Sequence, residues 1–280
     1  LARHAAVEQS TATLSTHPHA GENMSLKGKT ALVTGSTSGI GLGVAMSLAR
    51  QGANIVLNGF GDMAGPKAAV EALGVKTAYH GADMSKPAEI EAMMAFAVDT
   101  FGGVDVLVNN AGIQHVANVE DFPVDRWDAI IAINLCSAFH TSRLALPGMK
   151  ARNWGRIINI ASAHGLVASA GKSAYVAAKH GIVGFTKAAA LECATSGVTV
   201  NAICPGWVLT PLVQKQIDAR AEREGITLDQ ARIGLLGEKQ PSLQFTTPDQ
   251  LGELAVFLCS PAADNVRGQA WAVDGGWTAQ

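Results

Sequence analysis

The chain has 280 residues, with 21 Lys and Arg against 23 Asp and Glu, giving a net charge of −2 at neutral pH. That balance supplies no basic field for a nucleic-acid partner, and no run of about 18 uninterrupted apolar residues marks a membrane partner. Cys136, Cys193, Cys204 and Cys259 are widely spaced, with no Cys-x-x-Cys pair and no Cys/His metal spacing, so buried thiols in a reducing cytoplasm are expected and no metal site.

Residues 1–23 are polar, carry His4, His17 and His19, and lack the apolar core of a signal peptide; the expectation is a disordered extension ahead of Met24. From there strand-like and helical runs alternate. Residues 30–33 read as a buried strand that runs into Thr34-Gly35-Ser36-Thr37-Ser38-Gly39-Ile40-Gly41, after which Leu42, Ala45, Met46, Leu48 and Ala49 recur at helical spacing. A strand, a glycine turn and a helix N-terminus make an anion site, because backbone N–H groups and the helix dipole face a phosphate and glycine lets the backbone come close. The spacing differs from the Gly-x-Gly-x-x-Gly dinucleotide fingerprint, and alone the turn also fits an ordinary glycine-rich loop.

The second strand, 54–58, ends on Asn58, where dinucleotide folds place an acid for the ribose 2′-hydroxyl. No Arg or Lys lies between Asn58 and Pro66, and Arg50 is the nearest upstream cation. A 2′-phosphate therefore lacks a partner, and NAD is expected over NADP; Asp62 reads as a loop residue. Next come a helix at 66–73, a strand at 75–79, a helix at 87–101 and an apolar strand at 104–108. A long helix at 124–149, a strand at 156–160, a helix at 173–193, a strand at 198–203, a helix at 248–258 and a strand at 270–273 complete the pattern. The alternation predicts an α/β fold over residues 24–280: one Rossmann-like, doubly wound parallel sheet with helices on both faces. The charged, strandless stretch 207–245 predicts a small helical lid over the cleft.

Tyr175 and Lys179 fall one helical turn apart, and Ser162 follows the strand 156–160. A phenol is a poor base at neutral pH, but a nearby ammonium favours the phenolate, and a hydroxyl can hold a substrate oxygen beside it. Tyr-x-x-x-Lys spacing alone arises often by chance. Gln114, His164, Lys172 and Gln216 bracket the set with cations and amides suited to a carboxylate; the alternative is that His164 and Lys172 are solvated loop residues. Trp277 either packs a subunit interface or reaches the site.

In order, Thr34-Gly35-x-x-x-Gly39-Ile40-Gly41, Asn109-Asn110-Ala111-Gly112, Asn134, Ser162, Tyr175-x-x-x-Lys179 and Pro205-Gly206 resemble the short-chain dehydrogenase/reductase family over roughly residues 26–280. Leu57-Asn58-Gly59-Phe60-Gly61, Gly112-Ile113-Gln114-His115-Val116, Ser162-Ala163-His164-Gly165 and Lys172-Ser173-Ala174-Tyr175 are similar to its bacterial branch that oxidises D-3-hydroxybutyrate. The resemblance implies reversible, NAD-dependent oxidation of that acid to acetoacetate. It also implies a homotetramer paired through the helices at 124–149 and 173–193. It makes Tyr175 the general acid/base and Lys179 the group that holds the nicotinamide ribose and lowers the phenol pKa. Ser162 would orient the substrate oxygen, and Asn134 would support a water beside Lys179. The cofactor would lie against Gly35, Thr37, Ser38, Gly39, Ile40 and Phe60, with Asp83 at the adenine. Asn110 and Gly112 would line the cleft, and Pro205, Gly206, Val208 and Thr210 the nicotinamide end. Gln114, His164, Lys172 and Gln216 would hold the carboxylate, and Trp207 the acyl chain. An NADPH-dependent 3-oxoacyl or sugar reductase, and a non-catalytic nucleotide-sensing module, stay open as alternatives.

Overall fold

The computed structural model describes residues 26–279, so the polar segment 1–23 lies outside the described residues. The first half of the chain runs β1 (Thr30–Val33), α1 (Gly39–Arg50), β2 (Asn54–Asn58), α2 (Ala64–Glu71), β3 (Thr77–His80), α3 (Pro87–Phe101) and β4 (Val106–Asn109). Then follow α4 (Val124–Ile131), α5 (Ser137–Ala151), β5 (Gly155–Ile160), α6 (Ser173–Glu192) and β6 (Val198–Pro205). The chain closes with α7 (Pro211–Glu224), α8 (Leu228–Gly237), α9 (Pro248–Cys259) and β7 (Ala270–Val273). The strands form one seven-stranded sheet in the order β3-β2-β1-β4-β5-β6-β7, every pair parallel.

The central strands β1, β4, β5 and β6 are buried along their whole length, which is why they read as apolar runs rather than alternating ones. One face of the sheet packs on α1 and α9 through Val44, Leu48, Leu251 and Val256; the other packs on α3 and α5 through Ile90, Met93 and Met149. α1 and α9 approach so closely that a Cβ at Gly43 would stand 2.4 Å from Pro248, and one at Gly252 would stand 2.3 Å from the Ser47 hydroxyl. The order in which strands are added reverses between β1 and β4, and ligands of such sheets gather beyond the carboxyl ends at that point.

The stretch expected as one helix over 124–149 is continuous from Val124 to Ala151 but contains a π-helical turn, Ala132–Cys136. A π turn inserts a residue and re-aims side chains, here Asn134. Its Oδ1 accepts from the Ile113 N–H at 2.9 Å and its Nδ2 donates to the Ile113 carbonyl at 2.9 Å. By length and composition this stretch also passes for a membrane span, yet its buried residues include Asn134, Ser137, Thr141 and Ser142, with Thr141 hydrogen-bonded to Asn109 on β4.

Residues 207–245 contain two helices, α7 and α8, with a small core of their own made by Val213, Ile217, Ala221 and Ala231. Thr210 caps α7 ahead of Pro211, and a Thr227/Gln230 capping box starts α8. The base of the excursion is stitched shut by the Val208–Thr246 bridge, with Leu209 N donating to the Thr246 carbonyl at 3.0 Å and Thr246 N to the Trp207 carbonyl at 3.0 Å.

Candidate active site

The turn between β1 and α1 is shaped by glycine. Gly35 and Gly39 sit at φ +61° and +55°, the left-handed region where side chains are strained. A Cβ at Gly41 would stand 2.3 Å from the Gly35 carbonyl and 2.5 Å from the Asn110 amide. Asn110 braces the turn, its Nδ2 donating to the carbonyls of Thr34 and Gly35 at 2.9 Å. Thr34 answers with its hydroxyl, which accepts from the Asn110 and Ala111 N–H groups at 3.0 Å. α1 opens without a side-chain cap at Ser38 and without an acid in its first turn, so its leading N–H groups are left for an anion. Thr210 lies over this turn, 3.4 Å from where a Cβ at Gly39 would be.

Asn58 does not face the cleft. Its Oδ1 accepts from Gly35 N at 3.2 Å, and its Nδ2 donates to the carbonyls of His80 and Ala82 at 3.0 Å. It therefore ties the glycine turn to the ends of β2 and β3 rather than replacing a ribose-binding acid. The next residue, Gly59, has φ +146°, and a Cβ there would meet Thr37 at 2.6 Å. Thr37 donates to the Phe60 carbonyl at 3.1 Å, leaving the Phe60 ring 67% exposed. Asp62 accepts from Ala64 N at 2.9 Å at the start of α2, a local loop role. Arg50 stands at the opposite end of α1 from the turn, paired with Asp249 at 3.4 Å. At 1.5 Å per residue that is roughly 17 Å away. Asp83 accepts from the Ser85 N–H and hydroxyl, which hold its carboxyl below the usual range, with Lys86 adding to the effect.

The proton-transfer set is assembled from β5, the π turn and α6. Ser162 follows β5 and caps the short turn Ala163–Gly165, its hydroxyl accepting from His164 N at 3.1 Å. That turn rests on α6 so tightly that a Cβ at Gly165 would stand 2.7 Å from the Lys179 carbonyl. Lys179 is buried, donates to the Ile160 carbonyl at 2.7 Å, and places its ammonium 5.6 Å from the Tyr175 ring. Burial lowers the Lys179 pKa to about 8, partly opposed by Cys204. Tyr175 keeps part of its surface open, but dense packing around its hydroxyl pushes the phenol up, and hydrogen bonding to the Ser162 side chain pulls it down. The expected lowering by Lys179 is thus not what sets this phenol: desolvation comes first, and Ser162 is the group that favours the phenolate.

On the substrate side, His164 is buried, with Nδ1 3.5 Å from the Ser162 hydroxyl and Nε2 3.0 Å from that of Ser169. Its ring lies 5.9 Å from Tyr175 and 4.9 Å, edge to face, from Trp277. Burial, then Lys172, Lys239 and His180, lower the His164 pKa to about 4. At neutral pH it is an uncharged hydrogen-bonding ring, not the cation its position in sequence suggested. Lys172 supplies the charge, its Nζ 6.0 Å from the centre of the Trp207 ring. The loop that carries Gln114 joins this group where Ala117 N donates to the Gly171 carbonyl at 3.0 Å. Gln114 is itself exposed, and so is Gln216 on α7, which the structure does not connect to the other three.

Trp277, expected either at a subunit interface or at the site, reaches this corner, and Gln240, which the sequence did not single out, joins it. Buried Gln240 accepts from Trp207 N at 2.9 Å and donates to the Gln244 carbonyl. Asp274 holds the last turn, accepting from Gly276 N, Thr278 N and the Thr278 hydroxyl, and so sets Trp277 against His164. Pro205, Gly206 and Val208 line the same end; a Cβ at Gly206 would stand 2.5 Å from Gln240 Oε1.

The family described as short chain dehydrogenase matches residues 29–221. The chain belongs to this family. It is 71% identical to the D-beta-hydroxybutyrate dehydrogenase of Cupriavidus necator over 257 residues, covering 91% of this chain and 100% of that one. It is 57% identical to the enzyme of the same name from Rhizobium meliloti, over 90% of this chain and 99% of that one. Among solved structures, L-sorbose reductase from Gluconobacter frateurii, in complex with NADPH and L-sorbose, superposes with a TM-score of 0.88 at 31% identity, covering 92% of this chain and 99% of that one.

For a short-chain dehydrogenase the glycine turn is the natural cradle of a nicotinamide dinucleotide, and the turn fits one, since a single methyl group would fill it. Gly41→Ala is expected to lower Tm by several degrees and weaken nicotinamide-dinucleotide binding by about a hundredfold, because the clash is with backbone that cannot yield. Thermal unfolding and a fluorescence titration with NADH check both.

Proposed function

We propose that this dehydrogenase oxidises D-3-hydroxybutyrate to acetoacetate, reversibly, with NAD, as a cytoplasmic homotetramer. The observation that carries the substrate is the mouth beside Tyr175 and Ser162. There Lys172 stands over Trp207, His164 offers an imidazole, and the charges felt by both are all positive. A carboxylate entering it meets a charge-assisted partner, and among the described residues no acid acts on His164 or Lys172. Kinship with the two hydroxybutyrate dehydrogenases supports the choice of acid. The distance of Arg50 from the turn, and the inward-facing Asn58, support NAD over NADP. The tetramer is supported by apolar side chains left exposed on the paired helices, Phe139 on α5 and Leu191 on α6.

The chemistry follows from the residues. Lys172 and His164 hold the carboxylate and Trp207 flanks the short chain, which leaves the hydroxyl toward Ser162 and Tyr175. Ser162 fixes that oxygen by a hydrogen bond. Tyr175 takes the hydroxyl proton in oxidation and returns it in reduction. Lys179, buried beside the phenol, stabilises the charge that then develops, and Asn134 fixes the Ile113 loop next to it. Bound NAD supplies the hydride acceptor. It would lie on the glycine turn and extend past Asn110 toward Gly206.

Initial rates of NADH formation test the assignment. Turnover with the (R) acid and NAD, and little with the (S) acid, a neutral short alcohol or NADP, is expected. Equal rates on the neutral alcohol would reject the carboxylate site, and turnover only with NADP would reject the cofactor and favour a reductase.

A further inference from the structure

We propose that Lys239 is a second cation of the substrate mouth, which acts with Lys172 to draw in carboxylates and to discriminate against neutral analogues. This role rests on the carboxylate reading above. Three observations place the residue. Lys239 closes the last turn of α8, its N–H donating to the Leu236 carbonyl at 3.0 Å. The adjacent Gln240 side chain receives the Trp207 N–H at 2.9 Å, and Lys172 Nζ lies 6.0 Å from the centre of that Trp207 ring. The end of α8 and the N-terminus of α6 thus meet across one tryptophan.

The charges agree with this placement. Lys239 is among the groups whose field reaches both His164 and Lys172, and no carboxylate is. The neighbouring acid, Glu238, is engaged with Arg220 at 2.8 Å. Among the described residues no ion pair or side-chain hydrogen bond engages the Lys239 ammonium, and the side chain is exposed. The Lys239 charge acts on Lys172 without a carboxylate to offset it, and an anion that enters near both relieves that repulsion. Lys172 is carried by the body of the fold and Lys239 by the α7–α8 excursion, so an anion between them also links the two parts. An exposed rim cation acts chiefly on encounter and selectivity, and its effect falls as salt rises.

The test is the ratio of kcat/KM for (R)-3-hydroxybutyrate over its methyl ester, measured for wild type, Lys239→Gln and Lys239→Arg at about 20 mM and about 500 mM salt. At low salt the ratio is expected to fall about five- to tenfold in Lys239→Gln, through KM, and to recover in Lys239→Arg. At high salt wild type and Lys239→Gln should converge. A wild-type ratio near one overturns the carboxylate reading and this role with it. A high wild-type ratio that persists unaltered in Lys239→Gln overturns the role of Lys239 alone.

Discussion

Tyr175→Phe is expected to lower kcat for (R)-3-hydroxybutyrate by at least 10²–10⁴-fold, the usual contribution of a positioned acid or base. The phenylalanine keeps the ring that packs beside His164, at 5.9 Å, and beside the Lys179 ammonium, at 5.6 Å, so the pocket stays built. Tm and the dissociation constant for NADH should therefore move little, which separates a lost proton acceptor from a damaged fold. Wild-type enzyme should show the complementary pH behaviour. Burial raises the Tyr175 pKa, so the phenolate that oxidation requires grows as pH rises, and the neutral phenol that reduction requires is lost over the same range. Oxidation should speed up on the alkaline side while acetoacetate reduction slows. Activity of Tyr175→Phe within tenfold of wild type would mean that another group accepts the proton.

Lys179→Met is expected to abolish most of the activity and yet stabilise the protein. The Lys179 ammonium is buried, and burial brings its pKa from 10.5 to about 8. A depression of that size corresponds to roughly 3 kcal/mol of unfavourable free energy when the lysine is charged. Methionine removes the charge and gives up the hydrogen bond from that charged donor to the Ile160 carbonyl, worth about 2 kcal/mol. A net gain of about 1 kcal/mol at pH 7 is the expectation. The sign with pH is fixed. Below pH 8 the lysine is charged in both folded and unfolded chains, so its cost is complete. Between pH 8 and 10.5 the unfolded chain binds more protons and the cost fades, so the advantage of methionine should shrink toward pH 10.5. Thermal unfolding at pH 7 and pH 10 tests this, and a Tm below wild type at pH 7 would refute the claim that burial of this charge is a net cost.

The parts of the site that sequence made legible obey local rules. Tyr175 and Lys179 share a face because α6 is a regular helix, and the glycine turn, Asn110 and Ser162 each follow a strand of one parallel sheet. What sequence hid depends on contacts between distant segments. Asn58 occupies the position of a ribose-binding acid, yet its amide turns inward to Gly35 and Ala82. The π turn at Asn134 leaves no mark in hydrophobic periodicity, because it adds a residue without changing composition. Gln240 reaches the Trp207 N–H only after the chain has crossed the sheet and returned. Adjacency to Lys179 was visible in the spacing, but the rise that burial imposes on the Tyr175 pKa was not, since desolvation depends on packing from every side. Pairing likewise sets strand bounds: β3 runs from Thr77 rather than residue 75 because Thr77 is the first residue to pair with β2, opposite Ile55.

The close seat of α9 against α1 has a consequence for how the protein is made. The helix that presents the glycine turn leaves the ribosome well before its outer partner, Pro248–Cys259. Until that partner arrives, Val44 and Leu48 lack the cover that Leu251 and Val256 provide. Contacts so far apart in sequence form slowly, and exposed apolar surface invites aggregation meanwhile. The nucleotide cradle should therefore acquire its affinity only once Pro248–Cys259 has emerged, and nascent chains stalled before residue 248 should be captured by chaperones rather than by cofactor.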